Sequence, residues 1–547
     1  MRIFRTVALK LLGCILASFF LAKAKGLASE YPYNDSRWVF DKLPKADFSR
    51  DRSKIIAQFP KGFEFGLATA PAHVEDSLED SWLEFAKRGG VKAFNSVKDP
   101  TRRLDFFTNP EVEILLAKES GAKVFRLGVD WGRLVPNLPG SLDCGTTCSG
   151  AIQNYKALSQ YKRIISLIKK HDMKVMLTLF HHSLPMWSIK EWHSASSTEK
   201  FGWKDKNMPA YFKAFTRSVV KEFGSSVDSF ITFNEPSIFS LLNHVAGIWP
   251  PAKGKDAKAI INTFFYKGSF HKALDNMIEA HRLAYDEIKA VYPKTKVGIA
   301  HHVSYAVAKK GVLASIALHI NETAVNYKFP DKIIDKLDFL GVNYYGQENV
   351  SATDYSLDPK FAYSESGRMI NPNGLLIVLR ALHDRYKKKN PGLRYYITEN
   401  GVADDTDLIR QPYIIEHLLA LKAAMDQGIP VDGYIFWTIS DNWEWADGYC
   451  PKFGLVLVDR KNNLKRYKRP SFYLFQHIAK TGSITKNMRA SAQNLVWAAQ
   501  NLRLNSKELQ SKWDGKRPFC RNTDGLTSHD KPNRVPMIMK EKWWFKN

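Results

Sequence analysis

The sequence predicts a single (β/α)8 barrel on three observations. Eight short runs are rich in β-branched and aromatic residues, amphipathic stretches of helical length lie between them, and polar residues gather where the runs end. The 547 residues exceed a usual domain, but barrels of this kind reach such lengths as one unit when loops carry insertions. With 44% hydrophobic and 13% aromatic residues the chain can bury a large core, which excludes global disorder. No solenoid-type repeat or low-complexity segment is present.

In chain order the predicted strands lie in Phe63 to Ala72, Ala122 to Trp131, Met173 to Phe180, Ser229 to Glu235, Lys296 to Tyr305, Leu337 to Tyr345, Arg394 to Asn400 and Asp432 to Asp441. Most are continuous apolar runs, as strands buried on both faces require. Helical periodicity marks Tyr161 to Lys170, Pro209 to Phe223, Ser269 to Tyr292 and Gln411 to Gln427, so strand and helix alternate. In such a barrel chemistry sits where strands end. There the sequence places His181 after the third run, Glu235 at the fourth, Tyr345 at the sixth, Glu399 at the seventh and Asp441 to Glu444 beyond the eighth.

Two of these residues set the expected chemistry. Glu235 stands in Thr232-Phe-Asn-Glu-Pro236 and Glu399 in Tyr396-Ile-Thr-Glu-Asn-Gly401. Breaking an acetal needs a proton on the departing oxygen and negative charge opposite the developing oxocarbenium, which two carboxyl groups in different environments supply. One glutamate at a strand end would usually be a solvated carboxylate. Trp437 or Tyr345 alone would usually be packing, His181 a satisfied interior histidine, Arg126 a structural arginine and Glu444 a surface acid. The matched set overturns those readings.

With these motifs in view, the chain resembles glycoside hydrolase family 1 from roughly Phe59 to Lys480. The resemblance rests on the two glutamate motifs, Phe65-Gly66, Ala68-Thr69, Phe125-Arg126, Trp131-Gly-Arg133, Gly433-Tyr434, Trp437, Asp441-Asn442 and Glu444-Trp445. It implies a retaining mechanism with Glu399 as nucleophile and Glu235 as acid/base, the carboxyls about 5 to 5.5 Å apart. It implies Asn234 on the sugar 2-hydroxyl, and Arg126 and Tyr345 holding Glu399 ionised while Glu235 keeps a raised pKa. Trp437 would stack on the sugar, with His181, Glu444 and Trp445 around it.

Departures from the family pattern are expected to alter the sugar and aglycone subsites: His73 where a glutamine is usual, His182 in place of a tryptophan, and Asp130 before Trp131. They resemble a branch of the family that transfers galactose between galactolipids at the chloroplast outer envelope. That likeness extends over Leu67 to His73, Met176 to Pro185, Tyr344 to Glu348, Tyr363 to Arg368, Ile414 to Leu421 and Gly433 to Tyr449. The branch implies a galactolipid donor and acceptor, with oligogalactolipid and diacylglycerol as products. Hydrolysis of soluble β-glycosides is the alternative.

Charge fits a membrane surface. The net charge is +25, and the stretch from Lys461 onward carries 19 basic and 5 acidic residues. Ile538, Trp543, Trp544 and Phe545 lie among lysines there, a pattern suited to anionic headgroups. A solvated basic flank is the plain alternative, and nucleic acid is not an expected partner because no binding motif accompanies the charge. The expected organisation is a hydrophobic targeting or anchor segment and linker over 1–54, the barrel over 55–482 and a basic extension over 483–547.

Within the first segment, Val7 to Ala22 is apolar but short for a membrane span, and Ala22-Lys-Ala24 resembles a signal-peptidase site. Retention as an envelope anchor and cleavage on a secretory route both remain open. Cys144 and Cys148 read as a disulfide, part of a metal site lacking two ligands, or free thiols. Three sequons, at Asn34, Asn321 and Asn349, are about the number chance supplies. The chemistry calls for no organic cofactor and no metal ligands. Mg2+ enters the expectation only as a stimulating ion that gathers anionic lipid, and the oligomeric state is left open.

Overall fold

A computed structural model describes residues 47–91, 101–139, 152–193, 201–251, 268–308, 311, 314–315, 318–319, 321–350, 362–364, 366–449, 451–505 and 545. The apolar segment Val7 to Ala22, the Cys144 and Cys148 pair, and Ile538, Trp543 and Trp544 lie outside the described residues.

Eight parallel strands close into a barrel: β1 (Glu64–Ala68), β2 (Val124–Gly128), β3 (Lys174–Phe180), β4 (Ser229–Asn234), β5 (Lys296–His302), β6 (Phe339–Asn343), β7 (Arg394–Asn400) and β8 (Val431–Phe436). The first seven fall inside their predicted runs, and the eighth begins one residue before its own. The helices that follow them are α1 (Glu111–Glu119), α2 (Tyr155–Lys170), α3 (Met208–Phe223), α4 (Ser269–Val291), α5 (Lys328–Ile333), α6 (Pro372–Tyr386), α7 (Arg410–Asp426) and α8 (Pro470–Thr481). α2 begins a turn and a half before its predicted start because Asn154 caps it, its side chain accepting from the Ala157 N–H at 3.1 Å.

The apolar side chains separate into two layers. Val124, Met176, Ile231, Phe339, Tyr396 and Ile435 fill the barrel axis. A larger cluster, including Phe125, Val175, Phe233 and Ile397, packs the outer strand faces against the helices. Period-two alternation makes this division, since the residue next to each inward one faces a helix.

Two departures from that alternation aim the polar residues. On β4 the register with β5 shifts between Ile231 and Asn234. Ile231 faces the axis, but both Thr232 and Phe233 face outward, Thr232 to His281 on α4 at 2.7 Å and Phe233 against Trp203 and Phe212. The extra outward residue turns Asn234 inward. On β7 the register with β6 shifts between Ile397 and Glu399, and consecutive Thr398 and Glu399 both reach the interior. Gly401 follows because a Cβ there would collide with the Trp437 carbonyl.

Residues beyond the eighth helix remain in contact with the barrel. Ser483–Thr485 pairs antiparallel with Ile55–Gln58, and Lys486–Asn505 forms a helix beside α7. Glu416 on α7 accepts from Arg489 Nε and Nη2, both at 2.8 Å, and from the Phe545 N–H at 2.8 Å. Phe545 is buried in the outer core. This corrects the expectation that its ring is offered to a headgroup surface: an acid on α7 and the Arg489 guanidinium hold its backbone against the barrel instead.

Candidate active site

Arg126 is the centre of the polar cluster at the C-terminal mouth of the barrel. It sits two residues after the inward Val124, so it too points to the axis, where it is fully buried. Its Nη1 donates to Glu399 Oε1 at 2.6 Å, its Nη2 to Asn234 Oδ1 at 2.7 Å and its Nε to Thr178 Oγ1 at 3.3 Å. Tyr345 donates its hydroxyl to Glu399 Oε2 at 2.7 Å. Both oxygens of Glu399 are thus held, as the sequence reading expected.

Glu235 joins the same network from the other side. It adopts a left-handed backbone, φ 44°, immediately before the helix Pro236–His244. A non-glycine residue there is held by its surroundings, and such positions concentrate where a side chain must be aimed. Asn343, the last residue of β6, donates to both Asn234 Oδ1 at 3.1 Å and Glu235 Oε1 at 3.0 Å, while Thr398 Oγ1 donates to Asn343 Oδ1 at 2.7 Å. A continuous row, Glu399–Arg126–Asn234–Asn343–Glu235, therefore ties the two carboxyls together.

Their electrostatics differ from the expectation for both carboxyls. Burial pushes the Glu399 carboxyl up, Arg126 opposes that push, and the neighbouring charge of Glu235 adds to it, leaving Glu399 above the usual carboxylate range. Burial also pushes Glu235 up, but contact with His302 more than offsets it, and the carboxyl falls to about 2. His302 Nδ1 lies 3.5 Å from Glu235 Oε1. The expected raised pKa of Glu235 is thus corrected: its carboxyl is held low, chiefly by a histidine that the sequence reading did not weigh. Burial drives the Tyr345 phenol well above its ordinary value, so it stays a donor.

An aromatic and imidazole wall closes the pocket. Trp437, His73 and His181 lie together, with His73 4.9 Å and His181 6.1 Å from Trp437 between ring centroids. Trp445 packs 4.0 Å from His73 and 5.1 Å from His182. His182 stacks on Phe239, receives a contact from Asn234 Nδ2 at 3.2 Å, and approaches Glu235 Oε2 to 3.9 Å. Among the described residues, His73 Nε2, His181 Nδ1 and His182 Nδ1 are buried without a hydrogen-bond partner. His73 Nδ1 is committed to the Trp443 carbonyl.

Glu444 lies at the mouth, 4.0 Å from His73 Nδ1, and is pushed up to about 8 by burial first, then by the Asp447 and Glu399 charges, against the opposing pull of Arg368. Eleven of the residues singled out in the sequence, Glu235, Glu399, Arg126, Asn234, Tyr345, His73, His181, His182, Trp437, Glu444 and Trp445, therefore lie in one connected site. Asp130 does not. Its carboxylate accepts from the Arg133 N–H at 2.7 Å to cap the short helix Trp131–Leu134, and its own N–H meets Tyr161, so it shapes the loop rather than the sugar contacts expected of it. Asp441 likewise turns away, paired through both oxygens with buried Arg469 at 2.9 and 3.0 Å.

Asn343, His302, Glu348 and the tryptophans Trp82 and Trp249 were not singled out in the sequence. The signal for the first two was available: each lies near the C-terminal end of a predicted strand run. Trp82, on the short helix Ser81–Lys87, and Trp249, in a loop, are distant in sequence and meet 5.2 Å apart beside Trp445 only after folding.

Two buried, differently supported carboxyls at the C-terminal mouth of a closed parallel barrel, walled by indoles, define an enzyme that acts on glycosides. Sequence comparison assigns the family: the glycosyl hydrolase family 1 profile matches residues 55–332 and 316–484, and the chain belongs to that family. It is 40% identical over 573 aligned positions to the "Galactolipid galactosyltransferase SFR2, chloroplastic" of Arabidopsis thaliana, covering 93% of this chain and 87% of that one. It is 39% identical to the "Beta-glucosidase-like SFR2, chloroplastic" of Oryza sativa subsp. japonica, covering 88% and 83%.

Among solved structures, the hyperthermophilic β-glucosidase from Pyrococcus furiosus superposes with a TM-score of 0.69 at 27% identity, covering 80% of this chain and 98% of that one. Among the described residues, no three His, Cys, Asp or Glu side chains gather as a metal site, and no helix is long and apolar enough to cross a membrane.

Proposed function

We propose that this enzyme is a retaining galactosyltransferase that moves galactose from monogalactosyldiacylglycerol to the sugar of a second galactolipid. The observation that carries this reading is the 40% identity, sustained over 93% of the chain, to a protein named for that activity. In the first half-reaction Glu399 attacks the anomeric carbon, the bond to the lipid glycerol breaks, and a proton passes through Glu235 to the departing diacylglycerol oxygen. In the second, an acceptor galactose hydroxyl gives its proton to Glu235 as its oxygen displaces Glu399.

The geometry supports this division of labour. Glu399 has both oxygens oriented by Arg126 and Tyr345, as a nucleophile needs, whereas Glu235 has the His302 imidazole 3.5 Å from its Oε1. Asn234 is held by Arg126 and Asn343 at the position expected to meet the 2-hydroxyl. Trp437 offers an apolar face to the sugar ring, with His73, His181, His182, Glu444 and Trp445 meeting its hydroxyls. Transfer exceeds hydrolysis when the acceptor is oriented over the intermediate and water is scarce, a condition that a mouth seated on a lipid surface favours.

The net charge of +25 suits reversible association with anionic lipid, and the chloroplast outer envelope is the proposed location, in keeping with the names of both plant relatives. Mg2+ acts in this reading only at the lipid surface. The testing experiment incubates purified protein with monogalactosyldiacylglycerol vesicles and separates the products. Oligogalactolipid with diacylglycerol is the expected outcome. Free galactose with diacylglycerol would make the protein a hydrolase built on the same carboxyl pair.

A further inference from the structure

β5 ends in two histidines with different fates. His301 Nε2 is bonded to the Asn326 carbonyl at 2.9 Å on the far side of the strand. His302 faces the site, with Nδ1 3.5 Å from Glu235 Oε1 and Nε2 3.9 Å from Glu348 Oε1. His302 is 6% exposed and Glu235 8% exposed, so the first acid and the imidazole stand largely out of water, while the Glu348 side chain, at 27%, reaches the rim. Two carboxylates beside a neutral ring would leave two uncompensated charges, and a ring protonated on both nitrogens reduces that excess to one.

The row is also held in register. The segment after His302 continues into Tyr305–Ala308, which pairs with Gln347–Val350, setting Tyr305 against Gln347 and Ala306 against Glu348. One two-stranded ladder thereby fixes the spacing between the element that carries His302 and the element that carries Glu348. Asn343 holds the same Glu235 oxygen at 3.0 Å, so the carboxyl cannot rotate away from the ring without losing a second partner.

We propose that His302 is a positioning and proton-holding residue for Glu235, with Glu348 as the fixed counter-charge that keeps it cationic in the resting site. This rests on the reading of Glu235 as the acid/base. In the first half-reaction the proton leaves His302 Nδ1 for Glu235 and passes from Glu235 to the departing oxygen, while the bond from the anomeric carbon to that oxygen breaks and the bond to Glu399 forms. In the second, the acceptor hydroxyl proton goes to Glu235 and returns to His302, while the acceptor oxygen replaces Glu399 on the anomeric carbon. The cycle is proton-neutral and needs no co-reactant.

The surrounding charges are consistent with this assignment. Burial, the strongest influence on His302, opposes protonation, yet Glu235 and Glu348 together outweigh it and hold the ring at about 9. The other imidazoles facing the pair do not compete: burial drives His182 to about 3 and His301 to about 4, so both are neutral. Glu399 and Arg126 bond one another on the opposite side of Glu235.

The test compares pH profiles of kcat/KM for wild type, His302→Gln and Glu348→Gln on two aryl β-glycosides, one with a dinitrophenolate leaving group that needs no proton and one with an unactivated phenol. For the unactivated substrate, the alkaline limb of wild type is expected near the His302 ionisation, and in His302→Gln it moves at least one unit toward acid, a tenfold change in proton concentration. Loss on the unactivated substrate is expected to exceed loss on the activated one by about tenfold or more.

Glu348→Gln lies at the rim, where the fold is least at risk, and is expected to move the limb in the same direction. Equal losses on both substrates with the limbs unmoved in both variants would reduce His302 to a packing residue and overturn the proposal. Full activity of Glu235→Gln on the unactivated substrate would instead refute the acid/base reading, whatever His302 does.

Discussion

Tyr345→Phe removes one oxygen atom and one hydrogen bond, and its consequence can be worked from the contacts. In the wild type Glu399 Oε1 is held by Arg126 at 2.6 Å and Oε2 by the Tyr345 hydroxyl at 2.7 Å. Phenylalanine keeps the ring, including its 5.9 Å edge contact with Phe453 and the Arg368 guanidinium 4.6 Å above it. Only the bond to Oε2 is lost. A hydrogen bond to a charged group contributes about 1.5–3 kcal/mol, and at about 1.4 kcal/mol per decade that is a ~10- to 150-fold loss in kcat/KM if the bond is fully expressed in the transition state.

The pH dependence follows with a definite sign. A donor to the carboxylate favours its ionised form, so removing it raises the Glu399 pKa further, and the acidic limb of kcat/KM moves to higher pH. The assay is a pH series with an activated aryl β-glycoside, which isolates attack by Glu399 from protonation of the leaving group. A Tyr345→Phe variant with wild-type kcat/KM and an unmoved acidic limb would refute the claim that this phenol supports the nucleophile.

Other perturbations have equally definite outcomes. Asn343→Ala removes the donor shared by Asn234 and Glu235, and a loss of about 10- to 100-fold in kcat/KM is expected in steady-state assays, with thermal stability falling by about 1–3 kcal/mol because buried acceptors lose their partner. Glu416→Ala leaves the Phe545 N–H without its acceptor and Arg489 with only the Phe545 carbonyl; limited proteolysis is expected to cut the C-terminal end sooner while glycosidase kinetics stay within about twofold. Glu444, raised in the fold to about 8 from an ordinary 4.5, contributes stability that is complete below 4.5 and lost as pH rises through 8. Thermal melts of Glu444→Gln are therefore expected to decline less than those of wild type across that window.

The barrel was legible because both of its signals are local. Buried strands read as apolar runs, and a strand-helix alternation repeated eight times leaves few other folds. Glu235 and Glu399 were legible because their motifs stand at strand ends, and Arg126 only through the family resemblance, since alone it reads as a structural arginine. What escaped depends on parity breaks and on loops. Nothing in Ile231 to Asn234 announces that Thr232 and Phe233 both face outward, and only the pairing with β5 decides it.

The role of His302 escaped for a different reason. Its partner Glu348 is brought opposite by a short ladder between two loops that no periodicity marks, and without that partner a strand-end histidine is an ordinary interior residue. Asp130 misled because its place beside a family landmark suggested sugar contact. The structure gives its carboxylate a helix to cap, a use that small polar residues before a helix commonly have.

The measurement that bears most directly on the central claim is covalent trapping. Incubation with 2-deoxy-2-fluoro-β-galactosyl fluoride, which forms the glycosyl-enzyme readily but releases it slowly, should add one fluorosugar to the intact protein. Peptide mapping should place it on Glu399, and Glu399→Gln should remain unlabelled. Labelling at a different carboxylate, or galactosyl transfer that continues undiminished in Glu399→Gln, would contradict the assignment of Glu399 as the residue that carries the sugar.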